Sequence, residues 1–201
     1  MRMGIVRSGG KIFGRLSCLF LFLGLLFAVP PAQASSNFNL NLSDRALALS
    51  LGTDLTGTGL YGSVGYLEHR RRGSVGDAAL ELVANANPGG HPIWIGLGAR
   101  LVYADASLIH DSGSALAVGV SFHTTWVGYN RLGFGGHVYY APKVVAFGAT
   151  DRYLEYEAHF GYYLLRHGLV YIGYRHVSVA YAGTPDITLD SGINIGFRIS
   201  F

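Results

Sequence analysis

The chain has 201 residues, of which 50% are apolar, 13% aromatic and only 13% charged, with 29 glycines and a single cysteine. So little charge beside so many aromatics excludes a disordered chain, and one cysteine excludes a disulfide scaffold. The formal charge of +3 arises at the amino terminus, since Arg2, Arg7, Lys11 and Arg15 precede every acidic residue. Without them the remainder is slightly acidic, so nothing in its charge favours a nucleic-acid partner.

Residues 1–34 read as a secretory signal peptide. The four basic residues lead into an apolar run over 16–29, and Ala32-Gln33-Ala34 supplies the small side chains required for cleavage after Ala34. That run is shorter than the roughly 20 residues of a spanning helix. Residues 35–201 are then the folded part, one exported domain.

Beyond residue 34 the recurring pattern is alternation with period two over segments of about ten residues. Strands are predicted near 59–68, 75–86, 92–103, 115–128, 132–142, 152–165, 168–181 and 190–201. Residues 37–51 form another strand-like stretch. A turn at Ser43-Asp44 would make it a hairpin and bring the total to ten; otherwise the count is eight. Two segments show the alternation best. Leu154, Tyr156, Ala158, Phe160, Tyr162 and Leu164 alternate with polar neighbours, as do Ile193, Ile195, Phe197, Ile199 and Phe201.

In a soluble sandwich those apolar residues would form the core. In an outer-membrane barrel they face lipid, and polar residues fill the lumen. The sequence favours the barrel. It ends in Phe201 on an aromatic alternating strand, which resembles the signal read by the bacterial barrel-assembly machinery. Trp94, Tyr103, Trp126, Tyr140, Tyr163 and Tyr181 stand near strand ends, where interfacial girdles belong. Short turns at 87–90, 129–131 and 166–168 alternate with longer connections at 69–74, 104–114, 143–151 and 182–189, as periplasmic turns and outer loops do. The expected fold is an all-β, small antiparallel transmembrane β-barrel of eight or ten strands in the bacterial outer membrane.

The stretch Tyr139-Tyr140-Ala141-Pro142 through Asp151-Arg152-Tyr153 and Glu155-Tyr156, followed by Val170-Tyr171-Ile172-Gly173-Tyr174-Arg175, resembles the YfaZ family of small outer-membrane proteins. The strand Leu60-Tyr61-Gly62-Ser63-Val64-Gly65-Tyr66 is similar to that family's first clear strand. The resemblance spans the whole exported part. It implies an outer-membrane barrel and carries no activity with it.

Three constellations bear chemistry. Alternation sends Asp77, Glu81, Arg100, His123, His137, Glu155, Glu157, His159, Arg175 and Arg198 inward. Charges in a narrow lumen must pair, so these residues are expected to form a polar network that closes the barrel. An ion-conducting path is the alternative use, and a metal on Glu155, Glu157 and His159 a weaker one; no metal or cofactor is expected. Secondly, His176 and Ser178 with Asp190 resemble the His-x-Ser pair and downstream acid of the lipid A 3-O-deacylase family. That resemblance implies an esterase with Ser178 as nucleophile, His176 as base and the acid orienting the imidazole. This chain departs from it in having Asp for Glu, Val179 for Asn, and an inward parity at position 190. Thirdly, Arg70, Arg71 and Arg72 form a cationic run in an outer loop, suited to lipopolysaccharide phosphates. The leading expectation is therefore a structural or lipopolysaccharide-interacting barrel with a polar, closed lumen. The alternatives are a narrow pore and a lipid A esterase.

Overall fold

The structure is a computed structural model that describes residues 35–201 apart from 56, 87–91, 109 and 127. The signal peptide and the 87–90 turn lie outside the described residues. Strands β1 (Ser36–Ser43) and β2 (Ala46–Leu55) form a hairpin, followed by β3 (Leu60–His69), β4 (Gly73–Ala86), β5 (Ile93–Ala106), β6 (Asp111–Trp126) and β7 (Tyr129–Ala141). A single 3-10 turn and the three-residue β8 (Ala146–Gly148) lead to β9 (Thr150–Leu165), β10 (Gly168–Tyr181) and β11 (Ile187–Ser200).

Every pairing is antiparallel, and two contacts turn the sheet into a closed barrel. Neighbouring strands β5 and β6 pair from Ile93↔Thr124 to Ala106↔Asp111, while β1 and β11 meet from Asn37↔Ser200 to Ser43↔Asn194. The seam ends in a reciprocal pair: Ser36 and Phe201 each donate an N–H to the other's carbonyl at 2.8 Å. Ten strands make the wall; β8 pairs only with β6, over Gly113–Ala115, where it continues the wall beyond the end of β7. The hairpin reading of residues 37–51 is therefore the one the fold adopts, with Asp44 and Arg45 at its tip. An even count brings both termini to one edge, the terminal rim. The opposite edge is the loop rim.

Loop-rim connections are shorter than the sequence suggests. β4 begins at Gly73, β5 runs on to Ala106 and β6 starts at Asp111, leaving turns at 70–72 and 107–110. The cause lies inside the barrel. Val75, Val102, Ala104 and Ala115 alternate inward there and are almost fully buried, so the strands gain packing by continuing upward.

The outer surface is largely apolar. Leu97, Leu101, Val118, Ile172, Ile193 and Ile195 are each more than half exposed, an inversion that suits a hydrocarbon solvent. Tyr66, Tyr103, Tyr140, Tyr156 and Tyr174 stand outward toward the loop rim, and Trp126, Tyr129 and Tyr162 toward the terminal rim. These are the girdles. Trp94, Tyr163 and Tyr181 do not belong to them: Tyr181 is 1% exposed within the core, and Trp94 and Tyr163 both flank His123 inside the lumen. Position near a strand end sets height in the membrane, whereas parity decides which side of the wall is reached.

Replacing Ile195 by Arg puts a charge on the lipid face in the middle of β11. It is expected to cost about 2–4 kcal/mol, read as a lower denaturant midpoint when the barrel is refolded into phospholipid vesicles.

Candidate functional site

Inward side chains are stacked in three layers. Nearest the loop rim lies an apolar cluster built on Leu67, Val75, Val102, Val177, Leu189 and Tyr181. It is made by size matching. β5 and β6 contribute Ala104, Ala106, Ala115 and Ala117, all nearly inaccessible, against the rings of Tyr139, Tyr153 and Tyr181 from β7, β9 and β10. Gly119 shows how tight this is, for a Cβ there would collide with the Val138 carbonyl oxygen and lie 2.5 Å from the Tyr139 ring. The polar lumen that alternation predicts is thus bounded toward the loop rim by an apolar layer.

The middle layer holds most of the charge. Arg100 donates from Nη1 to Glu155 Oε2 at 2.7 Å and lies 3.8 Å from Asp77, with its guanidinium 3.9 Å over the Tyr139 ring. Glu155 also receives the Tyr153 hydroxyl at 2.6 Å and meets His137 at 3.1 Å. Glu81 accepts hydroxyl hydrogens from Tyr139, at 2.6 Å, and from Ser121. Arg175 donates through Nε and Nη2 to Asp190 at 2.9 and 2.7 Å and reaches Glu157 at 4.0 Å. Glu157 faces His159 Nδ1 at 3.4 Å. Charge-assisted bonds of this kind suit a buried site. Among the described residues no group of three or more His, Cys, Asp or Glu is arranged to hold a metal.

Towards the terminal rim the packing opens into a cavity of about 510 Å³. It runs from the ion pairs to Ser35, Asp54 and Ser200 at the edge, and Asn37, Tyr61, Trp94, His123, Tyr163 and Arg198 line it. Ladders of amides and hydroxyls stiffen its wall. Tyr61 and Asn37 exchange hydrogen bonds at 3.0 and 2.8 Å, and the Tyr171 hydroxyl donates to Asn39 and accepts from Asn41.

All ten residues assigned inward by parity line this lumen. The network also takes in residues that alternation of charge does not pick out. Tyr139 and Tyr153 share the inward parity, so position marks them, although only the structure gives them carboxylates as acceptors. Asp190 belongs here too. Asp190 keeps the inward parity of Arg198, and a bulge in β11 opposite Val177 and Ser178 turns Leu189 inward beside it, so both are buried.

The esterase constellation is not assembled. Asp190 is bound to Arg175 on the inside of the wall, whereas His176 faces outward, where it stacks on Tyr156 with centroids 5.0 Å apart. Its Nδ1 meets Ser191 Oγ at 3.2 Å rather than the hydroxyl of Ser178. The acid and the imidazole are therefore separated by the sheet. The cationic run is also divided. Arg70 and Arg71 are exposed at the β3–β4 turn, but Arg72 turns back to donate to the Thr188 carbonyl at 2.8 Å. His69 organises the turn by accepting the N–H groups of Arg71 and Arg72 at 3.2 and 3.1 Å.

Closed antiparallel strands, an apolar exterior and a charged interior define a small β-barrel of the transmembrane type. The chain belongs to the YfaZ precursor family, whose sequence profile matches residues 15–201. Among solved structures it is similar to the KdgM porin, at 11% identity and a TM-score of 0.45 over 83% of this chain and 99% of that one. It is also similar to the NanC porin, at 11% identity and a TM-score of 0.39 over 84% and 98%. No curated protein matches its sequence.

Arg175→Met leaves Asp190 and Glu157 buried without their guanidinium and is expected to cost about 3–5 kcal/mol, measured by denaturant unfolding in detergent micelles. Ser178→Ala is expected to leave the lipid A of producing cells indistinguishable from that of cells with the wild type or no copy, by mass spectrometry. Loss of one acyl chain with the wild type alone would instead make Ser178 a nucleophile.

Proposed function

We propose that this protein is an outer-membrane barrel of structural role, closed to through-flow and held to lipopolysaccharide at its outer edge. The terminal rim faces the periplasm, since an exported chain whose last strand serves assembly leaves its carboxyl terminus there. The loop rim then faces outward. The carrying observation is the succession of apolar and ion-paired layers across the loop-rim half of the lumen, where Ala106, Ala117, Tyr139 and Ala141 are 0% exposed. Hydrated ions crossing that half would have to separate Arg100 from Glu155 or displace the tyrosine rings.

The outer edge supports the lipid contact. The Arg70 N–H donates to the Arg45 carbonyl at 2.9 Å, which brings the β1–β2 and β3–β4 turns together and groups the side chains of Arg45, Arg70 and Arg71. Lys143 and Arg152 on the same rim are already paired with Asp151 and Asp186. The exposed guanidinium groups of Arg70 and Arg71, with Arg45 beside them and paired to Asp44 at 3.2 Å, match phosphates bidentately. Phe201, 69% exposed at the end of the seam, is the feature that the assembly machinery would read.

In planar bilayers the wild-type protein is expected to show no stepwise conductance, and the double variant Tyr139→Ala, Tyr153→Ala to conduct. Discrete wild-type steps would establish the narrow pore instead. Replacing Arg45, Arg70 and Arg71 together by Gln is expected to leave the fold intact, judged by heat-modifiable electrophoretic mobility, while removing the rise in thermal midpoint produced by added lipopolysaccharide.

A further inference from the structure

Of the lumenal arginines, Arg100 and Arg175 each have a carboxylate at 2.7 Å. Arg198 has none within ion-pair distance among the described residues. It projects from β11 into the cavity, beside Asn39 in the seam register, with its guanidinium 5.9 Å from the Tyr171 ring centre. The carboxylates elsewhere in the lumen are engaged: Glu157 by His159 and Arg175, Glu81 by Tyr139 and Ser121. Asp54 stands exposed at the cavity mouth and makes no ion pair with Arg198.

Two imidazoles face the same space. His159 packs on Tyr171 with centroids 4.7 Å apart, and His123 lies 6.5 Å from His159. Each is oriented from behind. Glu157 meets His159 Nδ1 at 3.4 Å, and the Tyr163 hydroxyl meets His123 Nε2 at 2.8 Å. The forward nitrogens, His159 Nε2 and His123 Nδ1, are buried with no hydrogen-bond partner, and His159 Nδ1 has only the 3.4 Å ion-pair approach of Glu157. Both converge above Gly135. A Cβ built there would lie 2.9 Å from His159 Nε2, 3.0 Å from the Phe122 carbonyl oxygen and 3.1 Å from His123 Nδ1, so only the missing side chain leaves room in front of these nitrogens. Buried polar atoms without partners are costly, and two of them face one hollow beside an unpaired guanidinium: His123 Nδ1 donates when Nε2 accepts the Tyr163 hydroxyl, and His159 Nε2 donates when the imidazole is protonated against Glu157. Carboxylates behind metal-binding imidazoles are also common, but the positive charge of Arg198 disfavours a cation here.

We infer that the terminal-rim cavity is a binding site for an oxyanion, a phosphate or carboxylate, held by Arg198 with His123 and His159. Trp94 and Tyr163 at its edge suit an anion borne on a sugar or other flat-faced solute. The site goes beyond the closed-barrel reading and does not depend on it, since it concerns the half of the lumen that is open.

The chain has two tryptophans. Trp126 stands on the outer wall, and Trp94 lies 5.8 Å from His123. A Trp126→Phe protein folded in non-ionic detergent therefore reports from the cavity alone. Its emission, and calorimetric heat on the same sample, would be followed during titration with inorganic phosphate, glucuronate, phosphatidylglycerol and zinc chloride. Saturable binding of phosphate or glucuronate is expected, weakened roughly tenfold or more in Arg198→Gln. Arg198→Lys, which keeps the charge, should bind with intermediate strength. His123→Gln supplies a second loss if Arg198→Gln fails to show the heat-modifiable mobility of a folded barrel. The inference is overturned by no saturable response in either readout, by anion binding that Arg198→Gln leaves unchanged, by binding of phosphatidylglycerol alone, or by zinc binding without anion binding. None of these results bears on conductance, so failure here and failure of the closed-barrel reading are separate outcomes.

Discussion

A wall that meets hydrocarbon on one side has no water to satisfy its backbone, so every strand needs two neighbours and the sheet must close on itself. Here closure rests on the β1–β11 seam, where seven residue pairs run from Asn37↔Ser200 to Ser43↔Asn194. Closure also sets the interior. Once the seam is in register, parity assigns each side chain to lipid or lumen, and a slip of one residue would send Arg198 and Asn194 into the membrane. The seam is locked from inside as well, because Asn41 on β1 donates to Asn194 on β11 and to the Tyr171 hydroxyl on β10, both at 3.0 Å. Side-chain amides thus reinforce the contact between the two strands furthest apart in the chain.

Asp77, Glu81, Glu155, Glu157 and Asp190 outnumber the arginines Arg100, Arg175 and Arg198 in the lumen. Ion pairing alone cannot stabilise such an excess. Hydroxyl hydrogens make up part of the difference. Glu81 has no cation against it and is held by Tyr139 and Ser121, while Glu155 adds the Tyr153 hydroxyl to its arginine. Tyr139 and Tyr153 therefore act in two layers at once: their rings fill the apolar cluster and their hydroxyls reach the carboxylates below. This joins hydrocarbon packing to the charged layer without leaving a buried carboxylate bare.

Much of this architecture was legible in the sequence, because a barrel that separates lipid from a charged lumen writes its parity directly into the alternation. The strands, the inward set from Asp77 to Arg198 and the family resemblance all rest on that pattern. What alternation does not carry is depth and local register. Val75, Val102 and Ala115 read as ordinary inward positions, yet their heights coincide and they form an apolar layer in place of a polar lumen. Leu189 illustrates the second gap. Asp190 keeps the inward parity of Arg198, whereas the bulge in β11 opposite Val177 and Ser178 turns Leu189 inward beside it, which alternation alone does not show. Trp94 and Tyr163 show that nearness to a strand end does not say which side of the wall a ring occupies.

The two halves of the lumen differ because their strands differ in side-chain size. Near the loop rim β5 and β6 present alanines, which let three tyrosine rings from β7, β9 and β10 fill the bore. Near the terminal rim the bore is lined by Gly135, Gly133 and Gly96 beside amides, imidazoles and the rings of Tyr61, Trp94 and Tyr163, and a cavity of about 510 Å³ remains. Passage through the loop-rim half would require Tyr139 and Tyr153 to turn away together, leaving Glu81 and Glu155 short of donors in a space that water does not fill. No comparable barrier stands between the cavity and the terminal rim. Under the closed-barrel proposal, exchange of water and small solutes is one-sided, and the unpaired nitrogens of His123, His159 and Arg198 meet only what arrives from that rim.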